Sequence, residues 1–139
     1  MTNPLSPRNP AFTFPGALCG VHVVIVERLS AATEPFHRIL EKDGATVTTV
    51  PSVLDAVDAL MGAAPAMLLV DLETATEHDC VLVRSITTER RIAAVALTPS
   101  PEHWNRALGF GFHACLPRGA AGVATLLPML AILAQFIDQ

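Results

Sequence analysis

Short apolar segments alternate with longer amphipathic segments along most of the chain. Residues 21–26, 66–70 and 92–97 are almost wholly apolar. A strand that is covered on both faces has this composition, whereas a half-exposed strand alternates apolar and polar positions. The pattern therefore predicts central strands of a parallel sheet, and residues 45–50 and 112–116 are predicted as two further strands.

Apolar positions at helical spacing mark the segments between these strands. Phe36, Ile39 and Leu40 define a first helix, and we expect it to end at Asp43-Gly44 because glycine tolerates a left-handed turn. A second helix is predicted from Pro51-Ser52 to near Gly62, and further helices are predicted around residues 81–86, at residues 101–110 and along the apolar C-terminal segment. This alternation predicts a doubly wound α/β fold, with one sheet of five parallel strands and five helices in a single domain.

The N-terminal residues differ in composition from the rest of the chain. Pro4, Pro7, Pro10 and Pro15 stand among small polar residues, without the basic flank and continuous apolar segment of a signal peptide. We expect residues 1–19 to form a flexible arm and residues 20–139 to form the folded domain. We also expect a cytoplasmic protein.

Composition excludes several classes of function. The chain has 139 residues and a formal net charge of −4, and its few basic residues are scattered, so a nucleic-acid partner is not expected. Its three cysteines are far apart, which is not the pattern of a disulfide framework or a zinc knuckle. The five histidines share no metal-ligand spacing, so no metal is assigned to them.

In a doubly wound sheet, ligands bind at the carboxyl ends of the strands. The predicted strands place Glu27 and Arg28, Asp71, Thr98 and Arg118 at or near these ends. These residues are therefore the candidate site.

Three segments resemble response-regulator receiver domains. Residues 68–72 (LLVDL) resemble the phosphoacceptor strand, residues 95–98 (VALT) the strand that ends in a hydroxyl, and residues 111–118 (GFHACLPR) the glycine-to-lysine segment. The resemblance covers about residues 21–137. It implies a flavodoxin-like receiver fold and a signalling protein that is not an enzyme. It also implies that Asp71 is the candidate acceptor of a phosphoryl group from a histidine kinase, with Thr98 and Arg118 binding that group.

The same resemblance implies a Mg²⁺ site built from Glu27, Asp71 and the backbone carbonyl of Glu73. The chain departs from the family here, because Arg28 follows Glu27 where a second acidic residue is usual. A fixed positive charge repels Mg²⁺, so we expect metal binding to be weak or absent. Arg28 is either a solvated residue or a pocket residue that neutralises Asp71. Arg118 replaces the usual lysine, and we expect an atypical receiver that acts as an interaction switch.

Two alternatives remain open. The first is a conventional phosphorylatable receiver in a phosphorelay. The second is a small flavodoxin-like enzyme, which is disfavoured because the sequence offers no nucleophile-and-base pair and no glycine-rich phosphate loop.

The C-terminal segment from Gly119 to Ile137 carries no charged residue. It is more apolar than one buried stripe requires, so we expect a homodimer, or a contact with an output protein, through Leu126, Leu130 and Leu133. A membrane-spanning helix is not expected, because Pro128 interrupts the segment and no basic cluster flanks it.

Overall fold

A computed structural model gives the fold, and it describes residues 16, 18–28, 33–61, 66–89, 92–98, 102 and 104–137. The strands among these residues are β1 (His22–Val26), β2 (Thr46–Val50), β3 (Ala66–Asp71), β4 (Ala93–Thr98) and β5 (Ala114–Pro117). The helices are α1 (Glu34–Lys42), α2 (Val53–Met61), α3 (Glu77–Glu89), α4 (Trp104–Gly109) and α5 (Ala120–Ile137). Strands and helices alternate strictly, as predicted.

The strands form one sheet in the order β2-β1-β3-β4-β5, and every neighbouring pair is parallel. All residues of β3 and β4 are buried, which explains why these strands are apolar without alternation up to their last residues, Asp71 and Thr98. The predicted doubly wound α/β fold is confirmed. The strand order reverses beside β1, where a ligand site is expected in such sheets.

Helices cover both faces of the sheet. One core layer joins α1 and α5 to the sheet through Phe36, Leu40, Leu126 and Leu130. The other layer contains buried side chains of α2, α3 and α4, among them Val53, Leu60, Val83 and Ala107. This arrangement leaves the carboxyl edge of the sheet to the loops that follow the strands.

The predicted boundary of the N-terminal arm at residue 19 is wrong. The side chain of Leu18 is fully buried in the core layer of α1 and α5. The backbone N–H groups of Gly16 and Leu18 donate to the carboxylate of Asp43, at 2.9 and 3.2 Å. The folded domain therefore includes residues before position 20, while the prediction for residues 1–15 lies outside the described residues.

The prediction that Leu126 and Leu130 form a contact between copies is also wrong. Both side chains are buried in the domain's own core, because this side of α5 packs against α1 and the sheet. Leu133 is half-buried and packs against the same core. Ile132, which is 60% exposed, faces solvent. A homodimer through α5 stays a prediction, but these two leucines cannot supply its contact.

The apolar character of α5 is explained mainly by this packing. Among the helices that the structure describes, none combines the length and hydropathy needed to cross a bilayer.

Candidate functional site

The sheet brings the predicted site residues to one edge. The register pairs Val26 with Val70 and Thr98 with Pro117, so Glu27, Asp71 and Thr98 lie at the ends of adjoining strands. Arg118 directly follows β5, and its backbone N–H donates to the carbonyl of Thr98 at 3.1 Å. Residues far apart in sequence thus meet at the carboxyl ends of β1, β3, β4 and β5.

Arg118 forms the central ion pair of this edge. Its Nη2 lies 3.2 Å from Oδ2 of Asp71, and its Nη1 contacts Oε2 of Glu73. The second carboxylate oxygen of Asp71 accepts the backbone N–H of Glu73 at 3.1 Å. Both oxygens of Asp71 therefore have partners within the chain.

Asp71 is fully buried. Burial raises the pKa of its carboxyl above the ordinary value, because a charged group loses hydration there, and the charge and hydrogen bond of Arg118 lower the pKa only in part. Arg118 is thus the group that makes a buried charge at Asp71 tolerable.

Glu27 is the second buried carboxylate of the edge, with only 4% of its surface exposed. The hydroxyl of Thr33, which precedes α1, donates to its Oε2. Its Oε1 is buried and has no hydrogen-bond partner among the described residues. This oxygen is a free acceptor at the carboxyl end of β1.

Arg28 does not pair with Asp71, which corrects the interpretation that it neutralises this carboxylate, although the residue is exposed. Its Nη2 lies 3.0 Å from Oδ2 of Asp79, and its Nη1 donates to the carbonyl of Thr74 at 2.7 Å. The guanidinium therefore ties the β1–α1 loop to the β3–α3 loop. The counter-charge of Asp71 comes from Arg118 instead.

Asp79 is a site-neighbouring residue that the sequence reasoning missed. Its carboxylate is buried and accepts the backbone N–H groups of Val53 and Thr76, at 3.0 and 2.8 Å, as well as the Arg28 bond. Burial raises its pKa, but these hydrogen bonds outweigh burial and lower the pKa overall. The available signal was Thr76 three residues earlier, since the two residues cap the start of α3 reciprocally.

Thr98 has a partner that the sequence did not indicate. Its side chain is fully buried, and its hydroxyl accepts the indole N–H of Trp104 at 2.8 Å. Trp104 begins α4 and is 38% exposed. Cys115 is half-buried, with its Sγ 3.9 Å from the carbonyl of Trp104. The strand-end hydroxyl is thus linked to α4.

Arg118 competes with a divalent cation for the carboxylates at this edge. Mg²⁺ requires about six oxygen ligands in octahedral geometry. Both oxygens of Asp71 have partners, Oε2 of Glu73 contacts Arg118, and Oε1 of Glu27 is buried without a partner among the described residues. Within the described part of the chain, no group of three or more His, Cys, Asp or Glu residues is placed to hold a metal. A cation bound at Oδ2 of Asp71 would compete with the guanidinium of Arg118.

Comparison with solved structures shows which known proteins share this architecture. The chain matches the receiver domain of the TMAO respiratory response regulator TorR at a TM-score of 0.70 and 15% identity, covering 83% of this chain and 98% of that one. This is the receiver-domain fold. A CheY-like receiver domain from Methylobacillus flagellatus matches at a TM-score of 0.66 and 24% identity, over 81% of this chain and 97% of that one.

The BeF3-activated receiver domain of RstA from Klebsiella pneumoniae matches at a TM-score of 0.62 and 17% identity, over 86% of this chain and 99% of that one. No protein-family model and no curated protein matches the sequence. The similarity to receiver domains therefore lies in the fold. It does not extend to the roles of the individual site residues.

Proposed function

We propose that the chain is an atypical receiver-type signalling module whose pocket carries its own counter-charge. The observation that carries this proposal is the ion pair between Arg118 and the buried Asp71, with Arg118 also contacting Glu73. A guanidinium in this place does electrostatically what a bound cation does, because it neutralises the carboxylates at the strand ends. Binding of Mg²⁺ is then weak, since the ion has to displace Arg118.

The proposed output is a contact with another protein, either an output protein or a histidine kinase. The surface formed by α4, β5 and α5 supports this assignment, because it exposes Trp104 and Leu108, the latter by 51%. Exposed apolar side chains of this size are typical of protein contacts. The Thr98–Trp104 hydrogen bond links this surface to the pocket. The module is proposed to signal by binding and not by catalysis.

The second candidate is a conventional phosphoacceptor. One observation favours it: Oε1 of Glu27 is buried without a partner among the described residues, as expected of an oxygen that is available as a ligand for a cation. In that case an oxygen of Asp71 forms a bond to phosphorus while the bond from phosphorus to the donor's leaving group breaks. The leaving group takes the electron pair, and Asp71 becomes an acyl phosphate.

Labelling with a small phosphodonor separates the two candidates. The chain is incubated with acetyl phosphate, with and without Mg²⁺, and the phosphorylated fraction is read by intact mass. We expect slow labelling of the wild type and at least about tenfold faster labelling of Arg118→Ala, a change of ~1.4 kcal/mol. Asp71→Asn should abolish labelling, both in the wild-type chain and in combination with Arg118→Ala.

The matched control is Arg38→Ala, which removes an exposed arginine of α1 that pairs with Glu34 on the same helix. It should label like the wild type. Rapid Mg²⁺-dependent labelling of the wild type that Arg118→Ala does not improve would favour the conventional phosphoacceptor. Labelling that persists in Asp71→Asn would place the acceptor elsewhere.

A further inference from the structure

Two arginines from different strand ends bind the β3–α3 loop, residues 72–76. Arg118, which follows β5, contacts the carboxylate of Glu73. Arg28, which lies after β1, donates from Nη1 to the backbone carbonyl of Thr74 at 2.7 Å, and its backbone N–H lies 3.4 Å from the hydroxyl of the same threonine. The two arginines therefore act on adjacent residues of one short loop.

Arg28 is itself anchored on a rigid acceptor. Its Nη2 lies 3.0 Å from Oδ2 of Asp79, whose side chain is only 3% exposed. The backbone N–H groups of Val53 and Thr76 fix this carboxylate. A charge-assisted bond to a buried and immobilised partner holds a side chain more firmly than a pair between two exposed side chains does. Arg28 therefore holds the Thr74 carbonyl against a fixed point of the fold.

The contacts of Glu73 depend on the position of the loop backbone. Its side chain is 53% exposed, and an exposed carboxylate loses rotamer freedom when it pairs with a guanidinium. Its backbone N–H donates to Oδ1 of Asp71 at 3.1 Å. Because Thr74 directly follows Glu73, a fixed Thr74 carbonyl restricts the backbone beside Glu73 and lowers the entropy cost of both contacts.

We propose that Arg28 is a positioning residue for the Asp71 pocket. It fixes the Thr74 carbonyl and thereby holds Glu73, whose N–H binds Asp71 and whose carboxylate contacts Arg118. Arg28 thus acts on Arg118 through Glu73. The inference rests on the proposed function, in which Arg118 supplies the counter-charge of Asp71, and it names the residue that regulates how firmly this counter-charge is held.

Exchange of N–H groups with water, measured by NMR, tests the proposal. Two groups are followed, the backbone N–H of Glu73 and the buried Nε–H of Arg118. Arg28→Met removes the guanidinium and keeps an apolar stem. It should speed the exchange of both groups at least about fivefold, because the loop then opens more often. Unchanged exchange at either group would overturn the proposal.

Two control variants separate positioning from general stability. Val23→Ala leaves a cavity at a fully buried position of β1, so it lowers the free energy of unfolding without touching the loop. Arg84→Met makes the same chemical change as Arg28→Met at an exposed position of α3. Both controls should keep the two exchange rates at their wild-type values. If Val23→Ala speeded exchange as much as Arg28→Met, Arg28 would act only through the stability of the domain and the proposal would be wrong.

The route through Glu73 is tested by combining variants. In the background of Glu73→Ala, which removes the carboxylate that Arg118 contacts, Arg28→Met should have no further effect on the Nε–H of Arg118. A full effect in that background would mean that Arg28 reaches Arg118 by another route, against the proposal. Arg28→Lys keeps a charge beside Asp79 without the planar fork, so it should give smaller changes in the same direction, and it replaces Arg28→Met if that variant does not fold.

These measurements need neither a phosphodonor nor Mg²⁺, so their outcome is separate from that of the labelling experiment. If Arg118→Ala fails to speed labelling while Arg28→Met speeds both exchange rates, the proposed function is wrong and Arg28 still positions the loop. If labelling behaves as expected while Arg28→Met leaves the N–H of Glu73 unchanged, the role assigned to Arg28 is wrong and the proposed function stands.

Discussion

The guanidinium of Arg118 lies 3.2 Å from the carboxylate of the fully buried Asp71, although 46 residues separate them in the chain. The pair exists because β3 and β5 end at the same edge of one parallel sheet. It predicts that Arg118, and not Arg28, opposes a divalent cation. Like charges at close range repel by several kcal/mol at an effective dielectric constant of ~20.

Calorimetric titration with Mg²⁺ tests whether Arg118 opposes cation binding. Arg118→Ala should raise the affinity for Mg²⁺ by at least about tenfold, since ~1.4 kcal/mol of lost repulsion suffices for that change. Arg28→Ala should change it far less, because Arg28 pairs with Asp79. Equal gains in the two variants would show that the Arg118 ion pair is not the obstacle.

The raised pKa of Asp71 predicts a pH dependence of stability. Above the unfolded-state value of about 3.9, the unfolded chain has lost a proton that the folded chain still binds. The folded state is therefore favoured at low pH, and this contribution is lost as the pH rises through the raised pKa. Urea unfolding of the wild type and of Asp71→Asn should be measured across this pH range. As the pH rises, the wild type should lose stability relative to the variant. If the difference in the free energy of unfolding between the two proteins did not change with pH, the pKa of Asp71 would not be raised in the folded state.

Asp79 should behave in the opposite way and matter more for stability. Its lowered pKa means that its contribution is present above the unfolded-state value and is lost as the pH falls through the folded-state value. At neutral pH, Asp79→Ala leaves the N–H groups of Val53 and Thr76 and the charge of Arg28 without their partner. We expect a loss of about 2–4 kcal/mol in the free energy of unfolding.

Chemical denaturation of Asp79→Ala beside Asp58→Ala provides the measurement and its control. Asp58 is exposed on α2, and its replacement should change stability by less than about 0.5 kcal/mol. If the two variants were equally stable, the structural role assigned to Asp79 would be wrong.

Trp104 is the only tryptophan of the chain, so its fluorescence reports on the Thr98 hydroxyl. Thr98→Val removes the acceptor of the indole N–H, which should cost about 1 kcal/mol of stability and increase quenching of Trp104 by acrylamide. Thr125→Val, at an exposed position of α5, is the matched control and should leave quenching unchanged. Quenching that is identical in the wild type and Thr98→Val would mean that this hydrogen bond does not hold the indole.

The sequence predicted the sheet and its edge well, because both depend on pattern. β3 and β4 are buried throughout and apolar up to their last residues, Asp71 and Thr98, so the positions of the strands and the closeness of these two residues followed from strand ends alone. The direction of a long side chain on a loop has no such pattern. Arg28 was expected to be either solvated or paired with Asp71; it is exposed, and its guanidinium pairs with Asp79.

The partner of Thr98 and the burial of Leu126 and Leu130 also differ from what the sequence suggested, because no sequence pattern gives the direction of these side chains. The indole of Trp104 reaches Thr98 because the helix it begins is short and starts close to the end of β4, which spacing alone does not reveal. Leu126 and Leu130 belong to a helix that is apolar on several sides, so hydrophobicity did not distinguish the side that faces the core from the side that faces solvent.

The ion pair of Arg118 also fixes how the pocket responds to its surroundings. The occupancy of an ion-binding site rises with the concentration of the ion until the site is saturated, and chelators remove the ion. A side chain is present in every copy of the chain at one equivalent, and no chelator can withdraw it. If the pocket works as proposed, the counter-charge of Asp71 is built into the chain, and we expect the resting state of the pocket to be the same in divalent-rich and divalent-depleted solution.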